Sequence, residues 1–235
     1  SLLASKIFNV MPEHIVVGNG AAELISSLAK YVEGKVAIPF PTFNEYPERF
    51  TQAEVVPVPT DEETFAYSAD DILQTVKKTN AKTVLLINPD NPTGNFLKKE
   101  DVLHLCEEFK KDGVTLIFDE SFIDFADKEI RYTLLDEEIL NAYPNLIVVK
   151  SISKSYGVPG VRLGVLASSD KTYIERIRKT NAIWNINSFG EYFLQIYDKY
   201  NKTYAAACDS IAEDRARFTK KLAGIKRLSF FPSQA

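Results

Sequence analysis

Short β-branched runs alternate with helix-like segments along most of this chain, and that alternation restricts its fold more than any other feature. The runs are "HIVVG" (14–18), "KVAIP" (35–39), "EVVPVP" (54–59), "TVLLIN" (83–88), "VTLIFDE" (114–120) and "LIVVK" (146–150), each bounded by turn residues. Between them, residues 21–32, 69–78 and 98–111 carry apolar side chains at helical spacing. The runs are apolar nearly throughout rather than at alternate positions, so both faces of the sheet are covered. This predicts an α/β fold of three layers, with a mostly parallel central sheet and helices on both faces. Ligands of such sheets bind beyond the carboxyl ends of the strands. After Asp170 the pattern changes to long helices, expected over 171–183 and 188–222, with a last strand beginning near Leu228.

Composition narrows the function. At 235 residues and 45% hydrophobic, the chain can close one sizeable core, and one large domain is expected. A net charge of −4 with both signs mixed along the chain argues against a nucleic-acid surface, which needs clustered Lys and Arg. Cys106 and Cys208 match neither a metal-ligand spacing nor a disulfide framework, which points to a reducing cytoplasm. No apolar run approaches the roughly 20 residues of a membrane span, so a soluble protein is expected. His14 and His104 read as a strand-edge and a helix-surface residue, and "DEE" (136–138) as a solvated helix start.

The polar residues at strand ends carry the chemistry. "NPDNPTG" (88–94) follows the fourth run, Asp119 closes the fifth, and "SISK" (151–154) follows the sixth. Asn88–Gly94 suits a rigid turn on its own. Asp119, placed after "VTLIF", is largely desolvated and needs a cation or several donors to stay charged, unless it serves only as a helix cap or structural ion pair. A lysine in the place of Lys154 either snorkels to water or is held in a cleft where its amine can attack a carbonyl. Ser151 and Ser153 precede it and Arg162 follows a Gly/Pro turn, a set suited to a dianion because Arg offers paired donors to phosphate oxygens. In "GNGAAELI" a Gly-rich turn opens a helix at Ala21, so free backbone N–H groups and the helix dipole point at whatever binds there, which suits a further anion.

These groups call for one ligand with a carbonyl for Lys154, a phosphate for Arg162 and the helix start, and a cationic ring nitrogen for Asp119. Pyridoxal phosphate has all three. In "PFPTFNEY", Tyr46 is placed to stack on its ring, and Asn91 to hydrogen-bond its phenolic oxygen.

The ordered set "GNGAAE", "PTFNEY", "NPDNPTG", "FDESFIDF" and "SISKSYGVPGVRLG" resembles the fold-type-I aminotransferases, in the branch of histidinol-phosphate aminotransferase and threonine-phosphate decarboxylase. The resemblance covers nearly the whole chain. It implies that Lys154 condenses with the cofactor's carbonyl, that Asp119 pairs with the ring nitrogen, and that Asn91 contacts the phenolic oxygen while Tyr46 stacks. Ser151, Ser153, Arg162 and the backbone of Ala21 and Ala22 would hold the phosphate. Lys150 is the rival to Lys154, ranked below it because it lies inside the strand.

The resemblance ranks amino-group transfer between an amino donor and a keto acceptor first, because aminotransferases are the larger group. Loss of carboxylate in the manner of threonine-phosphate decarboxylase comes second, and a cofactor-binding or dimerisation module without turnover third. Two features lean toward the decarboxylase. Phe122 stands where aminotransferases of this branch usually carry a tyrosine, and "WNIN" (184–187) looks like that branch, although Phe122 also reads as core packing and Trp184 as a buried anchor. The resemblance further implies a homodimer, and a chain of residues 1–235 that forms the cofactor-binding large domain without the family's N-terminal arm and C-terminal small domain.

Overall fold

The computed structural model describes residues 2–235. Seven strands form one sheet: β1 (Ile15–Asn19), β2 (Gly34–Pro39), β3 (Ala53–Val58), β4 (Thr83–Ile87), β5 (Thr115–Asp119), β6 (Leu146–Ser151) and β7 (Leu163–Ala167), in the order β1-β7-β6-β5-β4-β2-β3. β7 runs antiparallel to both β1 and β6, and every other neighbouring pair is parallel. Pro57 breaks no ladder because β3 is an edge strand paired only with β2. The helices are α1 (Leu2–Phe8), α2 (Ala21–Ala29), α3 (Glu45–Arg49), α4 (Ala69–Thr79), α5 (Lys99–Asp112), α6 (Glu137–Ala142), α7 (Ile152–Ser155), α8 (Lys171–Thr180), α9 (Ser188–Ile196) and α10 (Asn201–Ala223).

Alternation along the buried strands divides the core in two. Val84 and Leu86 of β4, Leu116 and Phe118 of β5, and Leu146 and Val148 of β6 pack on one side with α1, α4, α5, α6 and α9. Leu85, Ile87, Ile117, Ile147 and Val149 pack on the other with α2, α3 and α8. This is the expected three-layer, mostly parallel sheet, and its alternation decides which layer each strand-end polar group enters. Asp119 and Ser151 extend the α2 face, whereas Glu120 and Lys150 extend the opposite one.

Local signals set the helix ends. Ser68 caps α4 in a reciprocal box with Asp71, and Asn80 and Gly113 close α4 and α5 in the left-handed region. α2 has no side-chain cap: it begins directly after Gly20. The expected helix over 188–222 is instead two helices. A 3-10 turn at Tyr197–Tyr200 separates α9 from α10, because the Tyr197 ring turns inward against Phe8, Tyr156 and Phe193. No strand forms near Leu228. The segment meets loops rather than a strand edge: Phe231 packs edge-on against Phe65 at 5.3 Å, and Gln234 accepts from the Asp127 backbone. Among the described residues, no helix is long and apolar enough to cross a membrane.

One close approach fixes α2 on the sheet. A Cβ on Gly164 of β7 would lie 2.4 Å from the Ala21 nitrogen and 2.7 Å from the Gly20 carbonyl carbon, so glycine lets the first turn of α2 press directly on β7. Gly164→Ala should therefore destabilise the protein by about 1–3 kcal/mol through overpacking. Gly160→Ala, where nothing lies within 4 Å, should stay within about 0.5 kcal/mol. Urea unfolding of the two variants side by side tests this; equal costs would refute the contact.

Candidate active site

A cavity opens beyond the carboxyl ends of β4, β5 and β6, where the sheet topology places it. Asn91 comes from the turn after β4, Asp119 ends β5, Ser151 ends β6, Lys154 sits on α7, Arg162 precedes β7, and Ala21 and Ala22 begin α2; all line this one cavity. Phe122, singled out in the sequence as standing in a tyrosine's place, also lines it, and so do Ser121, Phe43 and Glu45, which sequence reasoning did not assign to the site.

Asp119 is buried, with two donors ordering its carboxylate: the Tyr46 hydroxyl gives to Oδ2 at 2.7 Å and the Ser121 N–H to Oδ1 at 2.9 Å. Burial and the adjacent Asp119 carboxylate push the Tyr46 phenol well above its ordinary range, so it remains a donor. The stacking expected of Tyr46 is thus corrected. It is fully buried in the first turn of α3, packs on Phe50 and is spent on Asp119, while Phe43, ahead of the helix, faces the cavity. Ser153 is corrected likewise: its hydroxyl accepts from the Leu163 N–H at 2.5 Å, and it lies off the cavity wall.

Lys154 projects between two aromatic faces, its Nζ 4.8 Å from the Phe43 centroid and 5.3 Å from that of Phe122. Phe122 therefore faces the site rather than the core. Arg162 holds a left-handed backbone at φ 55, a conformation seldom held by a side chain this long except where function requires it. Its guanidinium occupies the space in which a Cβ on Gly20 would sit, 2.7 Å from Nη2, so Gly20 is needed both for its own φ of 81 and for that contact.

Lys150 belongs to a different environment. Its ammonium lies on the opposite face, buried, 2.9 Å from Asp124 and 3.5 Å from Glu120. Burial pulls its pKa down, but the two carboxylates outweigh that and hold it above the ordinary lysine value, so it stays charged and structural. Glu120 also accepts from Thr133 Oγ1 at 2.5 Å and the Leu134 N–H at 2.8 Å. His14 is likewise not a bare strand edge: it is buried and pairs with Glu137 at 2.9 Å, and Asp136 caps α6. His104 is exposed on α5, and Trp184 is 92% exposed rather than a buried anchor.

The donor set fits pyridoxal phosphate. An uncapped helix start, Arg162 and Ser151 converge as an anion cradle, a buried and doubly bonded carboxylate stands opposite, and a free lysine amine and an aromatic wall lie between.

Known proteins agree with that fit. Residues 1–235 match the family model described as aminotransferase class I and II. The chain is 38% identical over 233 residues to L-serine phosphate decarboxylase of Sulfurospirillum multivorans, covering 97% of this chain and 59% of that one. It is 29% identical over 229 residues to a histidinol-phosphate aminotransferase of a Thermoanaerobacter species, covering 96% and 62%. The chain thus spans about three fifths of these relatives. Among solved structures it resembles a decarboxylase from Sulfurospirillum multivorans, with a TM-score of 0.88, 34% identity and coverage of 100% of this chain and 67% of that one. It also shares its fold with a histidinol-phosphate aminotransferase from Sinorhizobium meliloti in complex with pyridoxal-5'-phosphate, with a TM-score of 0.84, 22% identity and coverage of 100% and 63%.

Two expected outcomes test the lysines. After incubation with pyridoxal phosphate and borohydride reduction, peptide mapping should find the label on Lys154. Lys150→Met should cost about 3–5 kcal/mol of unfolding free energy by stranding the buried Glu120 carboxylate and the half-buried one of Asp124, whereas Lys154→Ala should cost less than about 1 kcal/mol. A label on Lys150 would reverse the assignment.

Asp90 gives a pH test. Burial pushes its carboxyl up to about 6, against the opposing pull of the Thr93 hydroxyl and the Asn91 N–H. Because the folded value lies above the ordinary 3.8, this group's contribution to stability is present at low pH and lost as pH rises through about 6. Asp90→Asn should therefore gain about 1–3 kcal/mol at pH 8 and nothing at pH 4. Denaturation at both pH values checks the sign.

Proposed function

The chain belongs to the class I and II aminotransferase family, whose cofactor is pyridoxal phosphate, and on that premise we propose that it is the cofactor-binding large domain of a decarboxylase acting on a phosphorylated amino acid. The observation that carries this reading is its 38% identity to an L-serine phosphate decarboxylase, against 29% to a histidinol-phosphate aminotransferase. It replaces the sequence-based ranking that put amino-group transfer first. Phe122 supports it, since the tyrosine hydroxyl usual in aminotransferases of the branch is missing from a residue that lines the cavity.

When bound, pyridoxal phosphate supplies a carbonyl for the substrate amine and a ring that accepts the electron pair left at Cα as a bond to it breaks. The chain supplies the rest. Arg162, Ser151 and the N–H groups of Ala21 and Ala22 would hold the phosphate, and Asn91 and Phe43, on the wall of the same cavity, would orient the ring with a polar amide and an apolar face. Asp119, kept in register by Tyr46 and Ser121, holds a negative charge against the ring nitrogen. Lys154 would provide the amine that holds the group and, near Cα, the base that carries a proton there. For loss of carboxylate the balance is one CO₂ released and one proton taken up at Cα, leaving an amine one carbon shorter. Pairing with a second copy is part of the same proposal, supported by the exposed apolar surface of Ile183, Trp184 and Phe189.

The test supplies pyridoxal phosphate and L-phosphoserine to a protein in which this domain is extended to the length of these relatives, since the domain alone is expected to turn over poorly, and follows CO₂ and the shortened amine. Release of CO₂ in step with that amine is expected, and it should fall at least a hundredfold in Lys154→Ala. Formation of a keto acid without CO₂ would restore the aminotransferase reading.

A further inference from the structure

Among the described helices α10 is the longest, at 23 residues, yet Cys208 is its single buried residue. Little apolar area holds it down, so its docking depends on polar contacts. Tyr204 donates to Asp124 Oδ2 at 2.7 Å, Arg215 donates to the Phe125 carbonyl at 2.6 Å and pairs with Asp127 at 2.5 Å, and Asp209 pairs with Arg131 at 3.1 Å. All of these contacts land on residues 124–131. That segment continues directly from Asp119, Ser121 and Phe122 on the cavity wall.

Two of the same residues also touch the segment that carries Lys154, the end of β6 and α7 with the turn after it. The Tyr204 ring stacks on Tyr156, with centroids 3.6 Å apart and planes 14° from parallel, and Tyr156 stands two positions after Lys154. The other oxygen of Asp124 takes the Lys150 ammonium at 2.9 Å, immediately before Ser151. Residues 150–156 are therefore gripped at both ends from behind, at Tyr156 by the Tyr204 ring and at Lys150 by the Asp124 carboxylate, and the Tyr204 hydroxyl bonds that carboxylate in turn. Burial and the Asp124 carboxylate push the Tyr204 phenol above its ordinary range, so the hydroxyl stays a donor throughout working pH.

We propose that Tyr204 and Asp124 are positioning residues for Lys154, a latch through which the placement of α10 sets the placement of the lysine-bearing segment. Neither residue lines the cavity, so they act only through Tyr156 and Lys150. A displacement of α10 takes Tyr204 with it, removing the stack on Tyr156 and one of the two bonds that orient Asp124. The position of Lys154 relative to Asp119 then loosens, although neither has lost a contact of its own. The proposal rests on Lys154 being the lysine that takes up the cofactor.

Hydrogen–deuterium exchange combined with cofactor titration tests the latch. Tyr204→Phe keeps the ring and removes the hydroxyl, and Tyr204→Leu removes both. In Tyr204→Phe, exchange at the amides of 152–158 should rise about tenfold, the loss expected of one hydrogen bond to a charged group, while β2 and β4 stay unchanged. The dissociation constant for pyridoxal phosphate should weaken by a comparable factor, and more so in Tyr204→Leu. Unchanged exchange at 152–158, or a rise of the same size in β2 and β4, would overturn the proposal, since a purely structural role loosens the whole sheet. Mapping the borohydride label in the unaltered protein keeps the two questions apart: a label away from Lys154 refutes the cofactor reading, while the exchange pattern still judges the latch.

Discussion

One positional offset along two neighbouring strands keeps this molecule's buried charges apart. Successive side chains of a strand face opposite sides, so Asp119 and Glu120, and likewise Ser151 and Lys150, are sent to different layers. On one side the carboxylate and hydroxyl meet a cavity. On the other, Glu120 and Lys150 join Asp124 in a closed ionic cluster whose oxygens are taken by Thr133, Leu134 and Tyr204. A register slip of one residue in β6 would turn Lys150 toward the cavity face and leave Glu120 and Asp124 without their cation. The ionic cluster thus contributes more to uniqueness than to net stability, because desolvating its charges offsets most of their attraction.

The anion cradle depends on a second constraint, the absence of side-chain atoms. α2 can aim its first N–H groups into the cavity only because Gly164 lets it sit on β7, and Arg162 can lie across that helix start only because Gly20 lacks a Cβ. Two glycines from distant parts of the chain therefore define one binding surface. Neither touches a ligand through a side chain, and both are settled by backbone approach.

Much of this was legible in the sequence because period and punctuation are local. The apolar runs, their near-continuous burial and the polar residue closing each one sufficed for the three layers, the sheet's mostly parallel sense and the position of the site. What escaped notice depended on partners far along the chain. Tyr46 and Phe43 are both aromatic and three residues apart, and only the start of α3 decides which faces the cavity. Ser153 reads like Ser151 until the return of β7 presents the Leu163 N–H. His14 gained its partner from 123 residues away. The break between α9 and α10 reflects one inward-turned ring, which helical periodicity does not register. The reaction type was not legible for another reason: the cofactor groups are shared by both chemistries, and Phe122 is a single absent oxygen.

The reversed direction of β7 has a consequence for how the site is assembled in time. Strands that follow one another in parallel need a crossover of a dozen or more residues, whereas β6 and β7 are antiparallel neighbours, paired in register from Val148 and Ala167 to Ser151 and Gly164. Lys154 and Arg162 therefore sit within one hairpin-like excursion, and their approach closes a short loop of low contact order. Asp119 and the helix start arrive only with long-range pairing. In a nascent chain the cation pair of this cavity can thus come together early, ahead of the acid that opposes it, and the last residues to reach the site are those whose entropy of closure is greatest.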